Sequence, residues 1–151
     1  MLITKTIGID MGHRVPNHKS KCKNIHGHRY KIEVGVDDKI ITEAGNSSEG
    51  MVIDFGDLKQ IMMKVLDYKY DHGFCMYIKD EFKTSFTILQ MKGQKIIFVP
   101  FIPTAENLAK HWFGELNDVL ILNKIKLSHV KVWETPTSTA LYCRDMFDKG
   151  E

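Results

Sequence analysis

The stretch HGHRYKIEVGV, residues 26–36, decides how the rest of the chain must pack. From residue 30 onward, apolar side chains alternate with polar or small ones: Tyr30, Ile32, Val34 and Val36 against Lys31, Glu33 and Gly35. Strict alternation is typical of a strand with one buried face, and we place this strand at residues 28–36. Because His26 and His28 have the parity of the apolar residues, their imidazoles project from the buried face.

A second alternating segment, residues 3–13, brings another histidine to the same surface. Its odd positions hold Ile3, Ile7, Ile9 and Met11, and His13 continues that parity. Two strands then deliver three imidazoles to one end of one interior face. Three neutral imidazoles with an open fourth position are the usual ligands of a catalytic zinc ion. The alternative is that each histidine is simply a hydrogen-bonded core residue.

The remaining segments predict one α+β domain. One helix follows Asp54 and a second follows Thr104, each a candidate N-cap. The end of the chain is predicted as two strands joined by a turn at Pro136, and residues 73–99 as irregular structure with a strand at 95–99. The predicted architecture is a mostly antiparallel sheet with two helices on one face. The apolar stripes of these helices are Leu58, Ile61, Met62, Val65 and Leu66, and Ala105, Leu108, Ala109, Trp112, Phe113 and Leu116.

Composition argues against two classes of partner. The 151 residues are 43% hydrophobic and carry a net charge of only +2. A general nucleic-acid binder usually has a basic stripe, so none is expected here. No apolar run approaches the roughly 18 residues of a membrane span. Three widely spaced cysteines and no signal-peptide pattern lead us to expect a reducing, cytoplasmic location.

Cys22 is the candidate reactive thiol. It lies four residues before His26 in the loop HKSKCKNIHGH, residues 18–28, among Lys19, Lys21 and Lys23. Nearby positive charge or metal favours the reactive thiolate. Two alternatives stay open: Cys22 is the fourth ligand of a closed structural zinc site, or an unreactive loop thiol.

Asp71 and His72 form the second candidate pair, within YKYDHGFC at residues 68–75. An adjacent carboxylate and imidazole can act as paired acid and base. The alternative is an ordinary surface turn.

Glu134 is the candidate ligand anchor. It shares the parity of Ser128, Val130 and Val132, so a carboxylate continues a buried strand face. A buried glutamate is rare without a partner. Two adjacent N–H donors, as on the amino-pyrimidinone edge of guanine or pterin, would satisfy both of its oxygens. The alternative is an internal pair with a lysine or arginine.

Taken together, these motifs resemble the 6-pyruvoyltetrahydropterin synthase family, and within it the 6-carboxytetrahydropterin synthase branch. They occur in family order over most of the chain. The carboxy-forming branch has three residues between the cysteine and HGH, as here, whereas the pyruvoyl-forming branch typically has a longer gap. The matching segments are GHRV at 12–15, HKSKCKNIHGHRY at 18–30, VIDFGDLK at 52–59, DH at 71–72, PTAENLA at 103–109 and VWETPTSTALY at 132–142.

The resemblance implies the tunnelling fold (T-fold), a four-stranded antiparallel sheet with two helices on one side. In this family, subunits associate into barrel-like trimers that commonly stack as hexamers, with active sites between subunits. It also implies residue roles: zinc binding by His13, His26 and His28; catalysis by Cys22, Asp71 and His72; pterin binding by Glu134; and a substrate contact by Glu106. Stabilisation of a helix N-terminus is the alternative role for Glu106.

The implied substrate is 7,8-dihydroneopterin triphosphate. Its conversion would release acetaldehyde and triphosphate and leave 6-carboxytetrahydropterin, a precursor of 7-deazaguanines such as queuosine. The resemblance leaves open a pyruvoyl-forming synthase with the same substrate, and the residues alone leave open a noncatalytic zinc-stabilised binding module.

The chain departs from the family pattern in two places. Tyr70 stands where leucine usually precedes Asp-His, and Phe74-Cys75 follow where Leu-Asn is usual. Asp67 follows a leucine but has no histidine after it, so we prefer Asp71 and His72. The segment 77–99 is longer than in compact members, and we predict a hairpin insertion there within a single domain, residues 1–151.

Overall fold

A computed structural model describes residues 1–150, which form one six-stranded sheet with helices on both faces. The strands are β1 (Leu2–His13), β2 (His26–Asp37), β3 (Gly73–Tyr77), β4 (Ile96–Val99), β5 (Leu127–Thr135) and β6 (Ser138–Cys143). The helices are α1 (Phe55–Met62), α2 (Tyr68–Tyr70), α3 (Lys83–Met91), α4 (Ala105–Leu122) and α5 (Arg144–Asp148). A π-helical segment, Met63–Asp67, joins α1 to α2, and a 3₁₀ turn, Lys21–Lys23, precedes β2.

The sheet order is β4-β3-β1-β2-β5-β6. The pairs β1–β2, β2–β5 and β5–β6 are antiparallel, as predicted. The predicted total of four strands is wrong, because β3 and β4 extend the sheet beyond β1 with parallel pairing. The antiparallel part thus carries the predicted motifs, and the parallel part is an addition at one edge.

The predicted hairpin around residues 77–99 is also wrong. β3 and β4 run parallel, and the helix α3 connects them. Parallel neighbours cannot be joined by a tight turn, so the segment forms a strand–helix–strand crossover.

The core lies between one face of the sheet and the helices α1 and α4. Tyr30 and Trp112 are fully buried, and their rings meet edge to face with centroids 6.2 Å apart. Both predicted N-caps are confirmed: the Asp54 carboxylate accepts from the Gly56 N–H at 2.6 Å, and the Thr104 hydroxyl accepts from the Asn107 N–H at 3.4 Å. These caps fix where the two core helices begin.

Helix α3 covers the opposite face at the β3 end of the sheet. Phe86 of α3 packs against Phe74, with ring centroids 4.7 Å apart. A Cβ placed on Gly12 would meet the Phe74 ring, and Gly12 lies between two inward-facing residues of β1. Neighbouring strand residues point to opposite faces, so Phe74 lies on the face away from α1 and α4. The two predicted helices, α1 and α4, therefore share one face as expected, and α3 is an additional helix on the other face.

Within residues 1–150, no helix combines the length and the apolar character that crossing a membrane requires.

Candidate metal centre and active site

Three imidazoles meet where β1 ends and β2 begins. The antiparallel register places His13 directly opposite His26, and Met11 opposite His28. One ligating atom from each of the three histidines lies within 4.8 Å of the others. This juxtaposition is the one that the alternation of the two strands predicts.

Two glycines let the strands approach closely at this point. Gly12 and Gly27 are paired across the ladder, between the two histidine-bearing positions. A Cβ on Gly27 would come within 2.9 Å of the Met11 carbonyl oxygen. A side chain at residue 27 would therefore push β2 away from β1 and separate the imidazoles.

Backbone carbonyls orient two of the rings. The Nδ1 of His13 lies 2.7 Å from the Pro103 carbonyl oxygen, and the Nδ1 of His26 lies 2.8 Å from the Asn24 carbonyl oxygen. A carbonyl only accepts, so each Nδ1 carries the proton and each Nε2 keeps a free lone pair. Outer carbonyl partners of this kind fix metal-binding histidines in the ligating tautomer.

Two of the three imidazoles favour their neutral form. Burial lowers the pKa of His13 and of His28, in both cases with neighbouring imidazoles adding to the effect and Glu134 opposing it. The Nε2 of His13 is buried and has no hydrogen-bond partner among the described residues. A buried nitrogen lone pair without a donor is costly, and a divalent cation would satisfy it. The donor set fits zinc: three neutral imidazoles with room for a further ligand.

Glu134 lies beside this cluster. Its Oε1 is 3.5 Å from the Nε2 of His13, and this contact is attractive only when the imidazole is protonated. Its side chain keeps 26% of its surface exposed, so the predicted buried position is only partly buried. The Tyr30 hydroxyl stays protonated beside it, because burial first and the Glu134 charge second raise the pKa of Tyr30. No lysine or arginine pairs with Glu134 among residues 1–150, so the carboxylate is available to a ligand.

A notch in the sheet leads to Glu134. The pairing of β2 with β5 starts at Lys31 and Trp133, so the first residues of β2 have no β5 partner. A cleft of about 610 Å³ fills this gap. Its walls include His28, Trp133 and Glu134. One imidazole of the cluster, that of His28, and the Glu134 carboxylate thus line one opening.

Cys22 lies at the centre of the 3₁₀ turn Lys21–Lys23, which we call the Cys22 turn. Cys22 is half-buried, and its carbonyl oxygen accepts from the Val15 N–H at 2.8 Å. It is not in the group of side chains close enough to share one metal ion with the histidines. This separation disfavours Cys22 as a fourth ligand and does not distinguish a reactive thiol from an unreactive loop thiol.

Asp71 and His72 follow α2 directly. The Nδ1 of His72 lies 2.6 Å from the Asp71 carboxylate, whose other oxygen accepts from the Asp10 N–H at 2.8 Å. Although burial raises the pKa of Asp71, the hydrogen bonds from Asp10 and His72 outweigh it and lower that pKa. His72 has a φ of 55°, a left-handed conformation uncommon outside glycine. The turn thus places the ionised carboxylate of Asp71 against the exposed imidazole of His72.

The structure does not bring this pair to the imidazole cluster of the same chain. His72 lines a second cleft, of about 540 Å³, with Asp10, Arg29 and Lys95 among the other residues of its wall. Within residues 1–150, no hydrogen bond or ion pair joins Asp71 or His72 to Cys22 or to the three histidines. Gly27, His28 and Arg29 line both clefts, so the two clefts adjoin.

Glu106 is exposed in the first turn of α4 and has no hydrogen-bond partner among the described residues. A carboxylate at this position interacts favourably with the positive end of the helix dipole. The structure therefore fits the alternative role as well as the substrate contact.

Sequence reasoning missed a buried polar cluster beside Asp71. The Tyr70 hydroxyl donates to Glu115 at 2.8 Å and lies 3.1 Å from the Nε2 of His111. Lys69 pairs with the other oxygen of Glu115. His111 is only partly exposed and belongs to this cluster. The i, i+4 spacing of His111 and Glu115 was the available signal.

Glu115 should make the fold sensitive to acid. Burial raises its pKa, but hydrogen bonds from His111, Lys69 and Tyr70 outweigh this and lower it from 4.5 to about 2. The stabilisation is therefore fully present above pH 4.5 and is lost as the pH falls toward 2. With 22% of the side chain exposed, we expect Glu115→Gln to cost about 2 kcal/mol at neutral pH.

Urea unfolding at a series of pH values checks this, with the exposed Glu106→Gln on the same helix as the control. The acid limb of the stability curve should be shallower in Glu115→Gln than in Glu106→Gln. Equal acid limbs would contradict the assignment.

Comparison with known proteins identifies the family of the chain. The family model described as 6-pyruvoyl tetrahydropterin synthase matches residues 2–145. The chain is similar to the 6-carboxy-5,6,7,8-tetrahydropterin synthase of Haemophilus influenzae, with 36% identity over 93% of this chain and 96% of that one. It is also similar to the protein of the same name from Aquifex aeolicus, with 31% identity over 93% and 96%.

Solved structures show the same fold. A protein from Wolinella succinogenes aligns with a TM-score of 0.77 and 23% identity over 95% of this chain and 98% of that one. The 6-pyruvoyl tetrahydropterin synthase of Caenorhabditis elegans aligns with a TM-score of 0.65 and 24% identity over 95% and 94%. The chain thus has the tunnelling fold of these synthases, with the T-fold's antiparallel strands extended by β3 and β4. By the match over nearly its full length, the chain belongs to the 6-pyruvoyl tetrahydropterin synthase family.

Proposed function

We propose that the chain is a zinc-dependent 6-carboxytetrahydropterin synthase. Membership of a tetrahydropterin synthase family supports pterin chemistry. The observation that carries the proposal is the buried Nε2 of His13, unpaired and facing two further imidazoles. The relatives named for the carboxy-forming reaction support that branch over the pyruvoyl-forming one.

The proposed reaction converts 7,8-dihydroneopterin triphosphate and one water into 6-carboxytetrahydropterin, acetaldehyde and triphosphate. A carbon–carbon bond of the side chain breaks, and the two departing carbons leave as acetaldehyde. The reduction of the ring is balanced by oxidation of the side-chain carbon that becomes the carboxylate, so no external redox partner is required. The product would enter 7-deazaguanine synthesis, including that of queuosine precursors.

Each candidate residue has a defined task. His13, His26 and His28 would hold the zinc ion, which when bound acidifies side-chain hydroxyls and polarises a developing carbonyl. Cys22 would move the proton at the carbon next to the ring. His72, oriented by Asp71, would exchange a proton with the other hydroxyl. Glu134 would accept from the two N–H groups of the pterin edge.

We further propose that the active form is a homo-oligomer, a trimer or hexamer. The observation in favour is that His72 lines one cleft and Glu134 lines another. A neighbouring copy could bring the two sets together at a shared interface. Light scattering after size-exclusion chromatography measures the mass directly, and an active monomer would contradict this part of the proposal.

Product analysis tests the proposed reaction. The zinc-loaded protein is incubated with 7,8-dihydroneopterin triphosphate and the pterins are identified by mass spectrometry. We expect 6-carboxytetrahydropterin with an equal amount of acetaldehyde. A pyruvoyl product without acetaldehyde would place the chain in the sister branch, and unchanged substrate would contradict the enzymatic proposal.

Glu134→Gln should weaken pterin binding without removing the metal. The amide offers one acceptor and one donor where the substrate presents two donors, so one charge-assisted hydrogen bond is lost and one contact becomes repulsive. We expect KM to rise by about 100-fold, consistent with about 3 kcal/mol. Glu33→Gln is the matched control, because Glu33 is a partly buried strand carboxylate that pairs with His129. Steady-state kinetics of both variants decide the point, and an equal KM in the two would refute the role of Glu134.

A further inference from the structure

A buried arginine joins the Cys22 turn to the turn that opens the β3–α3–β4 crossover. The Arg14 guanidinium donates to the Lys23 carbonyl oxygen at 2.9 Å and to the Asp80 carboxylate at 2.6 Å. Only 4% of the Arg14 side chain and none of the Asp80 side chain is exposed. Phe82 covers the guanidinium, with its ring centroid 4.4 Å from Cζ.

Burying this ion pair costs folding free energy. Two charges removed from water lose several kcal/mol of solvation, which their attraction only repays in good geometry. Here one oxygen of Asp80 is fully used, since it also accepts from the Phe82 N–H at 2.8 Å, but the other has no partner among the described residues. The pair is therefore not optimised for stability, and an apolar pair would fill the same space at lower cost.

Arg14 also binds the backbone of the Cys22 turn. Its Nε holds the carbonyl of Lys23, the residue after Cys22, and the neighbouring Val15 N–H holds the carbonyl of Cys22 itself. The Cys22 turn has no side-chain cap of its own. The position of the Cys22 turn relative to β1 thus depends on residues 14 and 15. Asp80 in turn fixes the orientation of the Arg14 guanidinium.

We propose that Arg14 and Asp80 are positioning residues for Cys22, a role that rests on the proposed function of that thiol. The pair holds the Cys22 turn against the end of β1, the strand that carries His13 of the imidazole cluster. Through Asp80, the β3–α3–β4 crossover becomes a support for the active site.

Arg14→Lys tests this, because lysine keeps the charge but cannot donate to Lys23 and Asp80 through a rigid fork. The matched control is Arg144→Lys. Arg144 also donates to a backbone carbonyl, that of Leu127 at 3.0 Å, and stacks on Phe113 and Phe147 far from the site. Both variants lose a partly buried guanidinium, so both lose stability.

Two readouts separate positioning from stability. The first is the rate at which iodoacetamide modifies Cys22 in the zinc-loaded protein, followed on the Cys22 peptide by mass spectrometry well below the melting temperature. The second is kcat with KM. In Arg14→Lys we expect Cys22 modification to quicken by about threefold or more through local opening, and kcat to fall by about tenfold or more with KM nearly unchanged. Arg144→Lys should leave both at the wild-type values.

Asp80→Asn provides a second variant, which removes the charge that faces Arg14 while leaving Arg14 in place, and it should shift both readouts in the same directions. If Arg14→Lys and Asp80→Asn both show the wild-type rate of Cys22 modification and the wild-type kcat, the proposal is overturned. The pair then has a purely structural role. If the wild-type protein shows no turnover at all, the proposed function fails. The modification rates still decide whether Arg14 and Asp80 position Cys22.

Discussion

Replacing His13 by alanine should strip the protein of zinc and lower turnover by about three orders of magnitude or more. His13 is almost fully buried, and its Nδ1 is already committed to the Pro103 carbonyl, so its Nε2 is preorganised for a metal. Metal content by mass spectrometry, together with product formation, measures both losses. The wild-type protein should carry about one zinc per chain.

The control for this variant is His129→Gln. His129 is also partly buried on a strand, but it packs over Gly35 and pairs with Glu33, away from the cluster. The His129→Gln variant should keep its zinc. Because His13→Ala leaves a cavity, His28→Ala serves as a second, less buried deletion from the cluster. Full zinc occupancy in folded His13→Ala and in folded His28→Ala would refute the metal site.

Cys22→Ala should keep zinc and lose turnover by about a thousandfold, within the range of a lost proton-transfer group. This variant separates the enzyme from the noncatalytic zinc-stabilised module. In that alternative, Cys22 would be the fourth ligand, and its removal would release zinc and lower the melting temperature, because a closed structural site contributes folding energy directly.

Cys143→Ala is the matched thiol deletion, since Cys143 is half-buried at the end of β6. Cys75 is unsuitable as a control, because it lies in the core and burial raises the pKa of its thiol to about 12. Normal turnover in Cys22→Ala would exclude Cys22 from the reaction. Loss of zinc in Cys22→Ala but not in Cys143→Ala would establish the structural module.

The antiparallel half of the fold was predictable because two strong local signals coincide there. Alternation fixes the faces of β1 and β2, and the caps at Asp54 and Thr104 mark the core helices. The β3–α3–β4 crossover was not predictable by the same means. Its helix begins at Phe82 without a side-chain cap, and its strands are only five and four residues long.

The site, like the fold, has one part that the sequence predicts and another that it does not. Parity alone places the three imidazoles together, since strand geometry leaves no other arrangement. The carbonyl oxygens that orient two of these imidazoles belong to Pro103 and Asn24. Both residues lie in loops, and no sequence periodicity predicts the course of a loop. The Arg14–Asp80 pair spans 66 residues, and such contacts emerge only from the tertiary structure.

The glycine pair at residues 12 and 27 has a consequence for protein design. All three imidazoles come from two neighbouring strands of one antiparallel ladder, within residues 12–13 and 26–28. A two-strand ladder of this register is therefore a transplantable module: the ligands could be grafted onto an unrelated antiparallel sheet. Copying the histidines alone would fail, because a methyl group at residue 27 would collide with the facing carbonyl. The unit to transfer is five residues, of which two have no side chain.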